Sequence, residues 1–308
     1  MSSSTPFRFS TISDYHRAAG LPQPAHPLIS IVRMEDISLP IAEVPFSLVG
    51  DFYWISMKKM QHIKFRYGQQ TSDFDDGVLF FMSPGQLFGV ESVEHAADLK
   101  KPEGWMILIH PDFLWNTPLA KNIKQYEFFS YSVNEALYLS EKEEVMLTAI
   151  VNQIEQEYNG AIDRFSQSVI IAQLELLLTY SERFYQRQFI TRKKASHELL
   201  TRLEDYLDSY FNSGTLAKHG MPSVMHIAEI LNISPGYLSS LLKSLTGQNT
   251  QQHLHHKLIE LAKEKLSTTS LSVSEIAYEL GFEHLQSFSK LFKTKTNLSP
   301  LEFRHSFN

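Results

Sequence analysis

The sequence predicts an α+β protein of two domains: an antiparallel β-barrel or jelly roll with helices at its C-terminal end, then an all-α domain holding two helix-turn-helix motifs. Three observations predict it. The 308 residues leave room for two domains of ordinary size, each able to bury its own core. Residues 27–111 are dense in short β-branched and aromatic runs punctuated by turn formers. Near the end of the chain, one pattern of short helix, tight turn and second helix occurs twice.

Composition narrows the functional classes. With 43% hydrophobic and 20% charged residues the chain is globular rather than disordered. No apolar run reaches the roughly eighteen residues that a bilayer span needs, so no membrane partner is expected. Met1 to Thr5 lacks a basic stretch followed by an apolar one, so no secretory leader is expected either. Cysteine is absent, which excludes disulfides, thiolate metal sites and a cysteine nucleophile, and suits a cytoplasmic location. The net charge of −6 argues at first against a nucleic-acid partner. Its distribution softens that objection. From Met221 onward eight cations meet seven anions, so the acidity sits in the front part. A weakly basic rear predicts modest non-specific affinity for DNA, since phosphate neutralisation supplies most of that term.

In the front part, Leu28–Val32, Ser47–Met57, Ile63–Tyr67, Gly77–Met82, Gln86–Val90 and Trp105–His110 read as strands. Turns fall between them at Asp75-Asp76-Gly77 and Ser83-Pro84-Gly85. Close spacing without intervening helices points to a small barrel. Ser140-x-x-Glu143 then forms a capping box, followed by Val145, Leu147, Ile150, Val151 and Ile154 at helical spacing. A second helix, from about Asp163 to Tyr185, is apolar over a broad arc. It packs on the barrel, or pairs with a second copy of the chain through Ile170, Leu174, Leu177 and Leu178 to make a homodimer. Residues 187–196 are polar, basic and weakly periodic, as a linker should be, which divides the chain into 1–186, the linker, and 197–308.

The rear domain carries the repeat. Ile227-Ala228-x-x-Leu231, Leu238, Leu241-Leu242-Lys243 and Thr246 return as Ile276-Ala277-x-x-Leu280, Phe288, Leu291-Phe292-Lys293 and Thr296. Ser223 caps the first helix, Ser234-Pro235 starts the second, and Gly247 ends it. In the second copy Ser272-x-x-Glu275 is a capping box, Gly281 closes the helix, and another helix begins at Ser299-Pro300. Leu238, Leu241 and Leu242, like Phe288, Leu291 and Phe292, form an inward stripe. Gly236, Ser239, Ser240 and Lys243 are left facing out of the first reading helix, and Gln286, Ser289, Lys290 and Lys293 out of the second. Such a face fits a DNA major groove, where Gln bonds adenine and Lys reaches guanine or phosphate. For either helix alone a plain surface helix is the better reading; the duplication reverses that. Between them Thr250–Leu266 reads as one long helix, a strut that would hold two reading helices about one duplex turn, roughly 34 Å, apart.

These residues resemble the DNA-binding domain of the AraC/XylS family of bacterial transcription regulators. The resemblance rests on Ile276-Ala277, Gly281-Phe282, Phe288-Ser289-Lys290, Phe292-Lys293, Ser299-Pro300 and Phe303-Arg304. Asn297 stands where the family has glycine, and Lys290 where arginine is commoner. The front part resembles that family's cupin-like effector domain more loosely, through Gly77–Gly85. The resemblance implies base contacts from Gly236, Ser239 and Ser240 and from Leu285, Gln286 and Lys290, with His284 beside them as a further DNA-binding candidate. It also implies a partner in double-stranded DNA, contact with RNA polymerase, activation more often than repression, and a small-molecule effector. Phe52, Trp54, Phe65, Phe80 and Trp105 are the aromatic candidates to line its pocket, although alternation along a strand sends neighbours to opposite faces. The alternative is a front domain that only oligomerises or docks a protein partner.

No catalytic residues are expected. The chain has no phosphate-cradling glycine loop, nucleophile elbow or zinc-protease signature. His62, His95 and His110 are scattered singly, and His253, His255 and His256 lack an evident third ligand, so neither metal nor cofactor is expected.

Overall fold

The break between β-rich and helical halves survives in three dimensions. A computed structural model describes residues 6–38, 46–59, 66–67, 70–71, 77–90, 103–131, 135–161, 163–191 and 193–306. The chain divides into two compact units, Met1–Gln188 and Phe189–Asn308.

The first unit contains, in order, β1 (Phe7–Phe9), α1 (Ile12–Ala18), β2 (Ile29–Arg33), β3 (Phe46–Gly50), β4 (Tyr53–Lys59), β5 (Arg66–Tyr67), β6 (Gln70–Thr71), β7 (Gly77–Met82), β8 (Leu87–Val90), β9 (Glu103–Ile109), α2 (Leu119–Asn122), β10 (Leu137–Tyr138), α3 (Glu141–Asn159) and α4 (Ser166–Thr191), the last of which runs past the boundary. Strands β10-β7-β4-β9-β2 form an antiparallel sheet, β1-β3-β8 a second sheet with β1 parallel to β3, and β5-β6 a hairpin. The expected closed barrel is therefore not observed among the described residues: no strand belongs to both sheets. What stands is a mixed α+β unit with open sheets.

The run Ser47–Met57, expected as one strand, breaks at Asp51-Phe52 and feeds both sheets. Gly50 allows the bend, because a Cβ there would lie 2.6 Å from the Trp54 Nε1. Antiparallel register puts Trp54, Ser56 and Lys58 on one face of β4, opposite Met82, Phe80 and Val78. That face meets the second sheet and α1 in a core of Trp54, Met106, Leu108, Val32, Leu48, Phe52, Ile12 and Tyr15. Burial raises the Tyr15 phenol far above its ordinary pKa, so it stays protonated against Trp54, ring centroids 4.8 Å apart. The opposite face carries Ile55, Met57, Phe81, Trp105 and Ile107. It lies under helices: Trp105 Nε1 donates to Thr148 Oγ1 at 3.2 Å, and the Phe81 ring meets Phe128 at 4.3 Å. The Ser140–Glu143 capping box starts α3, which buries Leu147, Ile150, Val151 and Ile154 but leaves Val145 exposed.

The second unit holds α5 (Lys193–Asn212), α6 (Thr215–His219), α7 (Val224–Leu231), α8 (Pro235–Thr246), α9 (Thr250–Thr268), α10 (Val273–Glu279), α11 (Leu285–Thr296) and α12 (Pro300–His305). Residues 187–196, expected as a linker, are helical up to Thr191 and again from Lys193. Arg, Gln and Lys are good helix formers, so a polar composition did not exclude this. One core joins Leu258, Ile259, Ala262 and Leu266 of α9 to Ile276, Ala277, Phe288 and Phe292. Among the described residues no helix is long and apolar enough to cross a membrane.

Candidate nucleic-acid interface

Each reading helix is delivered by a turn whose chemistry is local. In the first copy Asn232 adopts a left-handed conformation, φ 62°, at the end of α7. Ser234 then accepts a hydrogen bond from the Tyr237 backbone N–H, with Pro235 at the first helical position of α8. In the second copy Ser272 and Glu275 cap α10 reciprocally, and Gly281 (φ 76°) turns the chain toward α11. Left-handed Gly247 and Asn297 end the two reading helices at equivalent places.

On α11, Phe288 and Phe292 are fully buried. His284, Leu285, Gln286, Lys290 and Lys293 are exposed, Leu285 to 42%, and Ser289 is half-buried. This is the outward face that the stripe predicts. The first copy differs. Leu238, Leu241 and Leu242 are buried as expected, Lys243 is exposed, and Gly236 and Ser239 are half-buried. Ser240, expected to face out, is only 9% exposed. It lies three residues after Tyr237, on the same side of α8, and Phe189 covers that side with its ring edge-on to Tyr237 at 5.2 Å.

The charges separate in the same way. Lys263 pairs with Glu260 and Lys265 with Glu279, each at 2.7 Å, while the Arg304 Nε donates to the Leu266 carbonyl. Lys257 binds both Glu204 and Asp208. From Met221 onward the lysines without an ion pair among the described residues are Lys243, Lys290, Lys293 and Lys295; Arg304, held by the Leu266 carbonyl, has none either. All four lysines lie on α8 and α11, whereas Arg304 lies on α12. Lys295 was missed by sequence reasoning, although its place in the last turn of the second reading helix was a signal for it.

Of the α9 histidines, His253 is held in an ion pair within the second unit. His253 Nε2 donates to Glu204 Oε1 at 2.7 Å, and His255 Nε2 lies 3.1 Å from Gln251 Nε2. Burial alone would raise the Glu204 carboxyl, but hydrogen bonds from Lys257 and His253 hold it below the usual carboxylate value. A depressed carboxyl stabilises the folded state above its unfolded pKa, and that contribution disappears as pH falls through the folded pKa. Glu204→Gln is expected to cost about 1–2 kcal/mol at pH 7, between the values for exposed and buried pairs. The difference from the parent chain should vanish in acid below the ordinary carboxylate range. Urea unfolding at neutral and acidic pH checks it; an equal deficit at both would remove the ionic role.

In the first unit the aromatic candidates scatter. Phe52 and Trp54 are buried in the core, stacked at 5.2 Å. Phe80 is half-buried on the Trp54 face. Trp105 is on the other face beneath α3, so it cannot line the same pocket, and Phe65 lies outside the described residues, as do His62, His95 and the Asp75-Asp76 pair. Ile170, Leu174, Leu177 and Leu178, expected as a dimer surface, are all buried within their own chain. The broad apolar arc of α4 is mostly consumed by internal packing.

A family profile described as a helix-turn-helix domain matches residues 227–306. The chain is 30% identical over 113 residues to the uncharacterized HTH-type transcriptional regulator YijO of Escherichia coli K12, covering 37% of this chain and 38% of YijO. It is 31% identical over 124 residues to the raffinose operon transcriptional regulatory protein RafR of Pediococcus pentosaceus, covering 40% and 42%. It is 29% identical over 157 residues to the HTH-type transcriptional activator RhaS of E. coli O1:K1 / APEC, covering 50% and 52%. The chain thus spans roughly two fifths to one half of these curated relatives. All three are named as transcription regulators. With its duplicated reading motif and these relatives, the chain carries over residues 227–306 a helix-turn-helix domain of the AraC type, found in DNA-binding transcription regulators.

Proposed function

We propose that the chain acts in the cytoplasm as a homodimeric activator that binds double-stranded DNA through α8 and α11 and responds to a small molecule held by its first unit. The observation that carries the DNA-reading part is the distribution of charge: from Met221 onward the lysines without an ion pair among the described residues, Lys243, Lys290, Lys293 and Lys295, sit on the two reading helices. The exposed Gln286 beside Lys290 supplies a bidentate donor and acceptor for adenine. Because Ser240 is covered, α11 carries more of the base readout, and α8 contributes through Lys243 and the half-exposed Gly236 and Ser239. RhaS is a transcriptional activator by name, which favours activation, with contact to RNA polymerase, over repression. Selection of bound sequences from a random DNA library by the full chain tests the reading. A defined motif is expected, and its addition upstream of a promoter should raise transcription in vitro. Enrichment of no motif would sink it.

Dimerisation falls to a different face of α4 from the one the sequence indicated. Val169 and Leu176 are seven residues apart on one helix face and stay exposed, with Phe165 just before the helix in line with them. Leu176→Glu combined with Val169→Glu is expected to convert the dimer to a monomer in light scattering, with folding retained. A dimer of unchanged stability would place the interface elsewhere.

A further inference from the structure

Two helices of the second unit meet where α9 begins and α11 ends. Ile259 of α9 and Phe292 of α11 share one core. His255 stands one turn before Ile259, and Lys295 three residues after Phe292, so both come to the same edge of that packing. Lys295 is exposed and has no ion pair among the described residues. His255 is half-buried, and its Nε2 lies 3.1 Å from the Gln251 amide nitrogen. An amide nitrogen only donates, so this Nε2 accepts, and the imidazole is neutral with its proton on Nδ1. Burial, and then the Lys295 ammonium, hold His255 below the usual histidine pKa.

Among the described residues no carboxylate pairs with either group. On α5, Glu204 and Asp208 are taken by His253 and Lys257. On α10, Glu275 caps Ser272 and Glu279 holds Lys265; on α12, Glu302 caps Ser299 and Arg304 binds the Leu266 carbonyl. Lys265 and Leu266 lie about 15 Å beyond His255 along α9. Glu260 pairs with Lys263, Lys243 is the charge on α8, and Glu283 precedes α11, at the opposite end from Lys295. Of these charges Lys295 is the one that acts on His255. A cation beside an imidazole kept neutral is a site one negative charge short. An anion there offsets Lys295 and favours the imidazolium. Gln251 is exposed, so its amide is free to turn over and accept from a protonated Nε2 through Oε1.

We propose that His255 and Lys295 together hold one phosphate of the DNA backbone, and that His255 takes a proton from solvent as the phosphate arrives. This rests on α11 entering DNA and adds a backbone contact outside the reading face. In the complex one imidazole N–H donates to a phosphate oxygen and the other to Gln251 Oε1. The complex then binds one proton more than the free chain, so affinity rises as pH falls. The rise levels off below the pKa of His255 in the free chain, which lies under the ordinary 6.5.

The test uses the full chain and a random-sequence duplex of about 20 base pairs, because a phosphate contact needs no particular sequence. Affinity is measured at constant ionic strength from about pH 8 to about pH 5.5, with proton uptake from calorimetry in two buffers of different ionisation enthalpy. The parent chain is expected to bind about five- to tenfold more tightly at the acid end, with uptake approaching one proton per chain. His255→Gln should lose both effects, and His256→Gln, at the exposed neighbour, should keep them. His255→Arg, cationic throughout, should bind at the alkaline end as tightly as the parent does in acid, a gain that a merely structural histidine would not give. An unchanged pH dependence in His255→Gln, or a His255→Arg chain no tighter than the parent at the alkaline end, would overturn the proposal. Binding that needs the α11 lysines but gains nothing in acid removes this inference alone. No binding of any duplex at any pH removes the DNA reading and this contact with it.

Discussion

Gly281→Ala is expected to destabilise the second unit by about 3 kcal/mol or more, while the chemically identical change at Gly247 costs about 1 kcal/mol. Both glycines are left-handed, at φ 76° and 74°. A side chain at either place incurs the backbone penalty of roughly 1–2 kcal/mol. Their surroundings differ. A Cβ on Gly281 would lie 2.4 Å from the Leu216 carbonyl oxygen and 2.8 Å from the Gly220 Cα, both rigid backbone, whereas nothing lies within 4 Å of one on Gly247. The Leu216 carbonyl also accepts the Gly220 N–H at 2.9 Å, so it cannot retreat without losing that bond. Gly281 forms the turn that aims α11, so the same substitution should abolish DNA binding before the domain melts. The three tryptophans, Trp54, Trp105 and Trp115, all belong to the first unit. Tryptophan fluorescence therefore follows one unit, and helical circular dichroism follows both. Gly281→Ala should lower the dichroism transition by about 10 °C and leave the fluorescence transition in place. Equal shifts for the two glycine variants would show that the close approach to Leu216 has no energetic weight.

That contrast also shows which parts of the fold are legible in a sequence. Helix ends demand side-chain chemistry within three or four residues, and Ser223, Ser234-Pro235, Gly247, Ser272 and Ser299-Pro300 each mark a boundary that the structure has. Sheet closure depends on partners distant in sequence. Nothing local at Asp51-Phe52 separates a long strand from two strands in different sheets, and nothing in Phe7–Phe9 announces a parallel partner in β3.

The site divides along the same line. The outward face of α11 follows from the spacing of Phe288, Leu291 and Phe292, because the apolar side must point inward whatever covers it. On α8 the same rule places Leu238, Leu241 and Leu242 correctly but misses Ser240, which is buried on the side of the helix where Tyr237 meets Phe189, far upstream. Apolar character alone also picks out Leu174 and Leu177, which internal packing buries, so the proposed dimer surface falls to the exposed Val169 and Leu176.

Gln286→Ala and Lys290→Ala are each expected to weaken binding to the selected DNA site by about 1–3 kcal/mol, or roughly five- to 150-fold, and to relax base preference at one position. The physical basis is that both side chains are exposed on the face of α11 that Phe288 and Phe292 do not occupy, and that Lys290 has no carboxylate to surrender among the described residues. Lys243→Ala and Lys295→Ala belong to a different class. They should weaken specific and random DNA alike and lower the salt dependence of binding by about one ion each, as expected for cations that neutralise phosphate. Lys290→Arg separates the two roles further. A planar guanidinium bonds both guanine acceptors at once where an ammonium acts as a point charge, so arginine should sharpen discrimination without changing the salt slope. Titrations of the selected site and a scrambled duplex at three salt concentrations decide the matter. If Lys290→Ala costs the same on both duplexes, Lys290 is a phosphate contact and the base readout of α11 rests on Gln286 and its neighbours. If neither α11 variant changes affinity for the selected site, α11 is not the reading helix.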